Sequence, residues 1–399
     1  MYNLLNGLSV IEASSFVASP TAGLYCAQFG AEVIRVDQIG GGPDYRRWPV
    51  TEDNNSLYWE NLNRAKKSVA LDLGRPEGRE LLQDMVRATG QFITNFPAEG
   101  FLSHAKLAEG RADLVTVRIM GWADGAPALD YTVNNAVGYP MMTGPGPEPV
   151  NHVLPAWDLL SGAYAAFALL AAIQRRAATG EGSEVRIPLS DVAIGTVANL
   201  GGLAEVLHAG ANRPRLGNTV YGLFGRDFVT RDGKRTMIVV VTHRQWANLL
   251  AALNLTDAVA AVEAQRGVSF AKDDGLRFEH RDALFPLFET AIAARDHADL
   301  AAAFDAAGIV HSAYRTMLDA VSDDRLVGQN PMFSASTNNP SGFAYPAAGP
   351  FGTVPQQDRG APLPAPRNGQ HSEEVLADRL GLSTGELGRL IDNGIVGTA

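Results

Sequence analysis

The segment LSVIEASSFVASPTAGLYCAQFGAEVIRVD, residues 8–37, decides the fold class. Its apolar residues predict a strand over Leu8–Ala13, a helix over Pro20–Phe29 and a second strand over Glu32–Asp37, which follows Gly30. A strand, a crossover helix and a second strand form a βαβ unit, in which the two strands run parallel. The segment therefore predicts a parallel sheet.

The same alternation continues through the first half of the chain. Further strands are predicted at Ser68–Leu73, Gln91–Phe96, Asp113–Ile119 and Glu184–Leu189. Helices are predicted from Pro76 and over Asp158–Arg176, and Ser190 is a candidate cap for the next helix. Strands that alternate with helices indicate an α/β fold, with a Rossmann-like parallel sheet covered on both faces. We assign residues 1–210 to this large domain.

The pattern changes after residue 210. Two apolar segments, Phe228–Thr230 and Thr236–Val241, flank Asp232-Gly233, which is a strong hairpin signal. The spacing of Trp246, Leu249, Leu250 and Leu253 then predicts an amphipathic helix. Residues 222–325 are therefore predicted to form a smaller α+β domain.

The remainder of the chain is predicted to return to the large domain. Residues 330–366 are rich in Pro, Gly, Ser and Ala, which indicates a linker that wraps across a neighbour rather than forming an element. Within residues 367–399, a helix over Ser372–Leu380 is expected to dock on the large domain.

Composition limits the classes of function. The chain has 399 residues, a net charge of −10 and one cysteine. The negative charge disfavours nucleic acid and anionic membranes as partners, and one cysteine allows neither an internal disulfide nor a Cys-rich zinc site. The scattered histidines predict no metal site, and the apolar run Leu159–Ile173 is too short to span a bilayer. We find no secretory signal and expect a cytoplasmic protein.

A nicotinamide cofactor is disfavoured. Asp37 ends the second predicted strand, where a ribose-binding acid would lie, but the preceding turn, Ala13–Ser19, lacks the glycines that a pyrophosphate requires. Gly40-Gly41-Gly42 follows the second strand and is followed by Pro43, so these residues predict a loop.

Two basic clusters are candidate phosphate sites. One is Asn63-Arg64-Ala65-Lys66-Lys67, just before a predicted strand, and the other is Arg46-Arg47. A solvated surface is the common fate of such clusters. An acidic protein that binds a phosphorylated ligand nevertheless needs local cations, and these clusters would supply them beside the sheet.

Asp158 is the candidate nucleophile. An aspartate at the start of a helix is usually a cap, and that interpretation stays open. A helix N-terminus also keeps a carboxylate ionised, while Trp157 and Leu159 would limit its hydration. A carboxylate attacks a thioester without a general base, and the resulting anhydride preserves the activation of the acyl group. Cys26 lies among apolar helical residues and is interpreted as a core residue.

Several stretches, in this order and spacing, resemble the class III CoA-transferase family, which includes formyl-CoA and carnitine-CoA transferases. The stretches are Gly30 to Val36, Asn63 to Asp72, Thr94 to Pro97, Asp158 at the start of its small-residue helix, Arg176 to Gly182 and Pro364 to Leu376. The resemblance implies an intertwined homodimer that binds an acyl-CoA substrate on the large domain, with no cofactor beyond that CoA. It also implies that Asp158 is catalytic. The implied CoA contacts are Val17, Ala18, Asn63, Lys66, Lys67, Asn95 and Phe96.

The chain departs from the family at two places. Val17 stands where many members have glutamine, and Gly217-Asn218-Thr219-Val220-Tyr221-Gly222 replaces the glycine run of the formyl-CoA transferases. The acyl pocket is therefore expected to differ from theirs, which disfavours formyl and oxalyl substrates.

Four further stretches resemble family members that move CoA from C1 to C4 of mesaconate. These are Asp44 to Val50, Asp130 to Asn134, Val150 to Asp158 and Phe224 to Phe228. The resemblance implies that Asp158 carries CoA as a thioester while the acid stays bound. A cation is then expected near the distal carboxylate, and Arg46 and Arg47 are the candidates.

Other functions remain open. An intermolecular CoA transferase that acts on another dicarboxylic or short-chain acid would use the same nucleophile, and a non-catalytic acyl-CoA-binding protein would keep affinity without turnover. The related racemases carry a histidine where this chain has Leu129, which disfavours that activity.

Overall fold

A computed structural model describes residues 1–399. The chain forms two compact units: residues 1–138, 152–210 and 324–399 form the first, and residues 139–151 and 211–323 form the second. The sequence patterns had not assigned 139–151 to the smaller unit. This segment is joined to it by the Arg215 guanidinium, which donates to the carbonyl oxygens of Pro140, Thr143 and Gly146.

Both units combine strands and helices. The strands are β1 (Ser9–Ala13), β2 (Glu32–Gln38), β3 (Lys67–Leu71), β4 (Gln91–Thr94), β5 (Val115–Met120), β6 (Ser183–Pro188), β7 (Gly225–Val229), β8 (Arg235–Val239), β9 (Val310–Ala313), β10 (Phe333–Ser336), β11 (Tyr345–Ala348) and β12 (Val396–Gly397). The helices are α1 (Ala18–Gln28), α2 (Leu57–Leu62), α3 (Pro76–Thr89), α4 (His104–Ala108), α5 (Asp130–Ala136), α6 (Tyr139–Met142), α7 (Ala156–Thr179), α8 (Leu189–Asn199), α9 (Gly202–Ala209), α10 (His243–Leu253), α11 (Thr256–Arg266), α12 (Asp274–Glu279), α13 (Arg281–Ala293), α14 (His297–Ala307), α15 (Met317–Val321), α16 (Ser372–Leu380) and α17 (Thr384–Asp392).

The first unit is built on a seven-stranded sheet in the order β12-β3-β2-β1-β4-β5-β6. The six longer strands run parallel, as the alternating pattern predicted, and all except the edge strand β6 are largely buried. β12 is antiparallel to β3 and was not predicted, because two residues carry no periodicity. The predicted large parallel-sheet domain is thus confirmed, with small shifts at the ends of its elements.

α7 packs closely against α1. Gly162 makes this approach possible, since a Cβ at position 162 would lie 2.5 Å from the carbonyl oxygen of Ala18. The contact brings the first turn of α7 next to the loop between β1 and α1. α7 extends beyond the predicted segment to 24 residues, long and apolar enough to cross a bilayer by length and composition alone, a property that core helices share.

The second unit contains the antiparallel sheet β7-β8-β9 and helices α10 to α14. The predicted hairpin is confirmed, and Gly233 supplies the left-handed backbone of its turn with a φ of 76°. Its core contains the predicted face of α10 together with a group of phenylalanines. The principal members are Phe224, Phe228, Trp246, Leu249, Leu250, Leu253, Phe285 and Phe288.

Three details of the predictions were wrong. The segment 330–366 does form an element, because β10 pairs with β11 and Glu60 accepts hydrogen bonds from the backbone N–H and hydroxyl of Ser341. α8 begins at Leu189 after Pro188, so Ser190 is not its cap. α16 has the predicted bounds and packs on α3, but the chain continues into α17 and β12.

Candidate active site

A cleft opens at the carboxyl edge of the large sheet. β1 lies between β2 and β4, so the chain changes direction across the sheet at this point, and such switch points form ligand crevices in open α/β sheets. The cleft has a volume of about 640 Å³. Five predicted site residues line it together: Val17, Ala18, Asn95, Phe96 and Asp158.

Hydrogen bonds between strand ends fix the floor of the cleft. The Asn95 side chain accepts from the backbone N–H of Ser15 at 3.1 Å and donates to the Ser15 carbonyl at 2.9 Å. Arg118, fully buried on β5, donates to the carbonyl oxygens of Phe96 and Pro97 at 2.7 and 2.8 Å. The loops that carry the predicted CoA contacts are therefore held by protein atoms before any ligand binds.

Phe16 adopts an unusual backbone conformation in the loop that opens α1. Its φ is 68°, which costs energy for a residue with a Cβ. The Asp44 carboxylate accepts from the Phe16 backbone N–H at 3.0 Å and is itself bound by buried Arg35 at 3.1 Å. These contacts hold the strained residue in place at the edge of the cleft.

Asp158 lies in the first turn of α7, where it is half-buried and lines the cleft. The N-terminus of α7 is capped from outside the helix: Asp130 accepts the backbone N–H groups of Trp157 at 2.7 Å and Asp158 at 3.0 Å. The other oxygen of Asp130 bonds to Nε2 of His152. Asp158 is thus not the cap, and its own oxygens are left for another role.

The charge state of Asp158 differs from the expectation. Burial, and then the nearby Asp130 carboxylate, raise the pKa of Asp158 to about 7, while Arg47 acts in the opposite direction. The prediction that the helix end keeps this carboxylate ionised was wrong, because burial disfavours its charge, and Asp130 takes the helix N–H groups and adds a like charge. A carboxylate with this pKa is more basic, and hence more nucleophilic, than an ordinary aspartate.

Arg47 stands beside Asp158, between two aromatic rings. Its guanidinium carbon lies 5.4 Å from the centroid of the Phe16 ring and 5.4 Å from that of the Tyr58 ring. The Tyr58 hydroxyl is buried without a hydrogen-bond partner, and burial raises the pKa of Tyr58. Both arginines are exposed, and Arg46 makes no such ring contact. Of the two, Arg47 is the one whose charge acts on Asp158, although it does not line the cleft.

The basic cluster before β3 lies elsewhere. Lys66 is buried and donates to Glu12 at 2.8 Å, to the Pro20 carbonyl at 2.9 Å and to Asn63 at 2.9 Å, so its three donors are used inside the protein. Asn63 is fully buried, and Lys67 pairs with Glu374. None of the three lines the cleft, and their contact with CoA stays a prediction that these positions do not favour.

A second pocket, of about 480 Å³, adjoins the cleft through the shared residues Ser15 and Phe96. Asp37, which lies where a ribose-binding acid would be expected in a nicotinamide site, also lines this second pocket. Both of its carboxylate oxygens are engaged by Arg35, at 2.7 and 2.9 Å. Asp37 therefore serves the buried ion pairs, as the absence of a glycine turn after β1 suggested.

Sequence reasoning missed four residues of the site: Tyr58, Arg118, Asp130 and His152. Asp130 and His152 fall within stretches that carried the resemblance, but nothing in the sequence indicated that they meet. Other candidates have no chemical role here. Burial raises the pKa of the Cys26 thiol to about 12, and no group of three or more His, Cys, Asp or Glu side chains is arranged to hold a metal ion.

Comparison with known proteins agrees with this geometry. The chain is 46% identical to 2-methylfumaryl-CoA isomerase of Chloroflexus aurantiacus, over 99% of this chain and 98% of that protein. It is 26% identical to succinyl-CoA–D-citramalate CoA-transferase of the same organism, over 97% of this chain and 96% of that one. A crystal structure of a CAIB/BAIF family protein from Brucella suis has the same fold, with a TM-score of 0.77 at 24% identity, covering 95% of this chain and all of that one.

The family resemblance seen in the sequence is confirmed. The family model for CoA-transferase family III matches residues 5–372, which include the cleft, the whole second unit and most of the first. From this match and the full-length relative, the chain belongs to CoA-transferase family III.

Proposed function

We propose that this protein moves CoA from C1 to C4 of one bound mesaconate, converting 2-methylfumaryl-CoA into 3-methylfumaryl-CoA, with Asp158 as the nucleophile. The observation that carries the proposal is a single half-buried basic carboxylate in a preformed cleft, in a chain 46% identical over nearly its full length to a 2-methylfumaryl-CoA isomerase. No acceptor acid is needed, because the substrate contains both carboxyl groups.

The chemistry proceeds by exchange of acyl partners. Asp158 attacks the C1 thioester carbonyl and expels CoA thiolate, forming a mixed anhydride. The thiolate then attacks the aspartyl carbonyl, giving an aspartyl-CoA thioester and free C1 carboxylate. The C4 carboxylate attacks that thioester, the thiolate leaves, and it finally attacks the C4 carbonyl. Asp158 is released as a carboxylate, so no net proton or water is consumed.

The acyl-CoA is proposed to lie along the cleft floor. Asn95, Phe96, Val17 and Ala18 line the cleft together with Asp158, and the adjoining pocket that shares Phe96 is large enough for the nucleotide end of CoA. Hydrogen bonds already connect the strand ends at the floor of the cleft. CoA binding therefore orders few further residues there, which favours affinity.

The free carboxylate of the acid is proposed to bind Arg47. The guanidinium faces Asp158 closely enough to affect its charge, and the two rings around it fix its plane. The unpartnered hydroxyl of Tyr58 supplies a second donor on the same side. A dicarboxylate held at both ends can turn its C4 carboxylate toward the aspartyl thioester without leaving.

We propose that a second copy of the chain covers an apolar face of the first unit, which would give the expected homodimer. α9 has no buried residue, and its Leu207 is 83% exposed. On α7, Phe167 is 65% exposed. Such surfaces are covered in assemblies. Sedimentation should give a dimer, and a monomer at micromolar concentration contradicts this part of the proposal. A CoA thioester substrate is in keeping with a cytoplasmic location.

The main test uses the acid itself. Purified protein is incubated with 2-methylfumaryl-CoA in excess isotopically labelled mesaconate, and the CoA esters are analysed by chromatography and mass spectrometry. We expect the C4 ester to form with little label in the thioester pool. Label that enters as fast as C1 converts to C4 means that the acid leaves, and the intermolecular transferase then replaces our proposal.

A further inference from the structure

The loop before α7 is attached to α5 by contacts that the catalytic proposal does not use. The His152 ring meets the Tyr131 ring edge-on, with centroids 5.7 Å apart, and lies 6.3 Å from the Trp157 ring. The Trp157 indole N–H donates to Asn134 at 3.1 Å. His152 is therefore held in one place beside the first turn of α7.

Asp130 connects this histidine to the nucleophile. Its carboxylate is 1% exposed, and both oxygens are in use: one accepts the N–H groups of Trp157 and Asp158, and the other bonds to Nε2 of His152. An ionised carboxylate can only accept hydrogen bonds, so Nε2 is the donor. Without that donor, one oxygen of a buried carboxylate would lose its partner.

We propose that His152 is a positioning residue for the nucleophile, acting through Asp130: its ring nitrogen holds the Asp130 carboxylate turned toward the first turn of α7. The inference rests on the proposed role of Asp158. His152 itself touches neither the acyl group nor CoA in this scheme. Its effect reaches the reaction through the charge and the direction of Asp130.

The physical consequence follows from two neighbouring carboxyl groups that compete for one proton. A donor that holds Asp130 in place keeps its carboxylate beside Asp158, and this like charge, after burial, raises the pKa of Asp158. Asp158 is then more basic and, once ionised, the better nucleophile. Arg47 and Tyr58 are the other titratable groups near Asp158, and Tyr58 in turn lies near Asp44 and Tyr131.

The test replaces the donor but keeps the ring. His152→Phe preserves the aromatic contacts with Tyr131 and Trp157, so the fold should persist. We expect kcat for isomerisation to fall about tenfold while KM for the acyl-CoA is unchanged. The acid limb of the kcat–pH profile should move to lower pH, because a carboxylate that is no longer held beside Asp158 raises the pKa of Asp158 less.

A conservative variant and a matched control accompany it. His152→Gln keeps an N–H donor and should restore most of the rate and the position of the limb. His311 pairs with Asp305 through the same atoms at 3.1 Å, and neither residue lines the cleft, so His311→Gln should change neither quantity. Circular dichroism and a urea midpoint for each variant confirm folding.

The outcomes separate the two proposals. An unmoved acid limb in His152→Phe, or a rise in KM without a fall in kcat, overturns the positioning role. If that variant does not fold, Asp130→Asn must move the limb to lower pH, and an unmoved limb there overturns it equally. Failure of the wild-type protein to form the C4 ester, or activity in Asp158→Asn, contradicts the proposed function instead.

Discussion

Two groups of carboxylates lie within the first unit, and they are partnered in opposite ways. In the first group, which includes Glu12 on β1, the fully buried Arg35 binds Asp37, Asp44 and Glu12. Lys66 also binds Glu12, at 2.8 Å. At the cleft, Asp158 faces the Asp130 carboxylate and has Arg47 nearby without an ion pair. Paired buried charges hold the loops, whereas the carboxylate that lacks a close cation is the one we propose as the nucleophile.

The two groups also differ in how their charges respond to burial. Burial opposes the charge of Arg35, yet Asp37, Asp44 and Glu12 outweigh it, and the pKa of Arg35 rises. Burial lowers the pKa of Lys66 to about 8 although Glu12 opposes the shift. At the cleft, burial and a like charge act together on Asp158. In the scaffold, opposite charges offset burial, whereas at the proposed nucleophile burial and a like charge add together.

The largest expected effect is on turnover. Asp158→Asn should lower isomerisation by about 10⁴-fold or more, because an amide cannot form the anhydride. Equilibrium binding of CoA, measured by calorimetry, should stay within a few fold of wild type, since the cleft floor is unchanged. Substantial activity in a preparation verified by mass spectrometry would return Asp158 to a structural role.

The next effect concerns the paired cluster. Arg35→Met should destabilise the first unit by about 3–5 kcal/mol, because it leaves three carboxylates without their shared cation. Arg175→Ala is the control: Arg175 pairs with Glu181 at the surface, and losing that pair should cost less than about 1 kcal/mol. Urea unfolding measures both. Equal midpoints for the two variants would contradict the contrast between the regions.

A smaller effect links the nucleophile to stability. The pKa of Asp158 is raised from 3.8 to about 7, so its ionisation opposes folding. The cost is absent below the unfolded value, grows as pH rises, and is complete above about 7. Asp158→Asn removes it and should stabilise the protein by about 1–2 kcal/mol at pH 8, after allowance for solvent screening, and by less at pH 5.

The stability difference between Asp158→Asn and wild type is measured from urea midpoints at pH 5 and pH 8. Asp232→Asn provides the control. The hydrogen bond from the Thr230 hydroxyl lowers the pKa of the Asp232 carboxyl, so ionisation there favours folding. A difference between Asp158→Asn and wild type that does not grow from pH 5 to pH 8 would mean that the ionised nucleophile carries no cost.

The smallest effect is expected at Lys67. Lys67 pairs with Glu32 and Glu374 outside the cleft lining, so Lys67→Ala should change KM for the acyl-CoA by less than about twofold at low salt. A clear rise in KM that disappears in high salt would show that a CoA phosphate reaches this lysine after all. The result would extend the binding site beyond the cleft described here.

Local patterns predicted much of the fold. The apolar runs of β1 to β6, the proline at the start of α3 and the glycine in the turn between β7 and β8 each act within a few residues, so their signals survive in the sequence. Residues 139–151, the β10–β11 hairpin and β12 lack such periodicity. Their positions depend on distant partners, such as Arg215 for the first and β3 for the last.

The sequence by itself determined the parallel sheet and placed Asp158 at the start of a long helix, because strand and helix periods are local properties. It also carried the family resemblance. Only the tertiary structure decided which charges meet: Lys66 enters the core with Glu12, Arg47 comes to the cleft, and Asp130 takes the N–H groups that Asp158 was expected to use. Charges act through distances in space, and these distances exist only after the chain has folded.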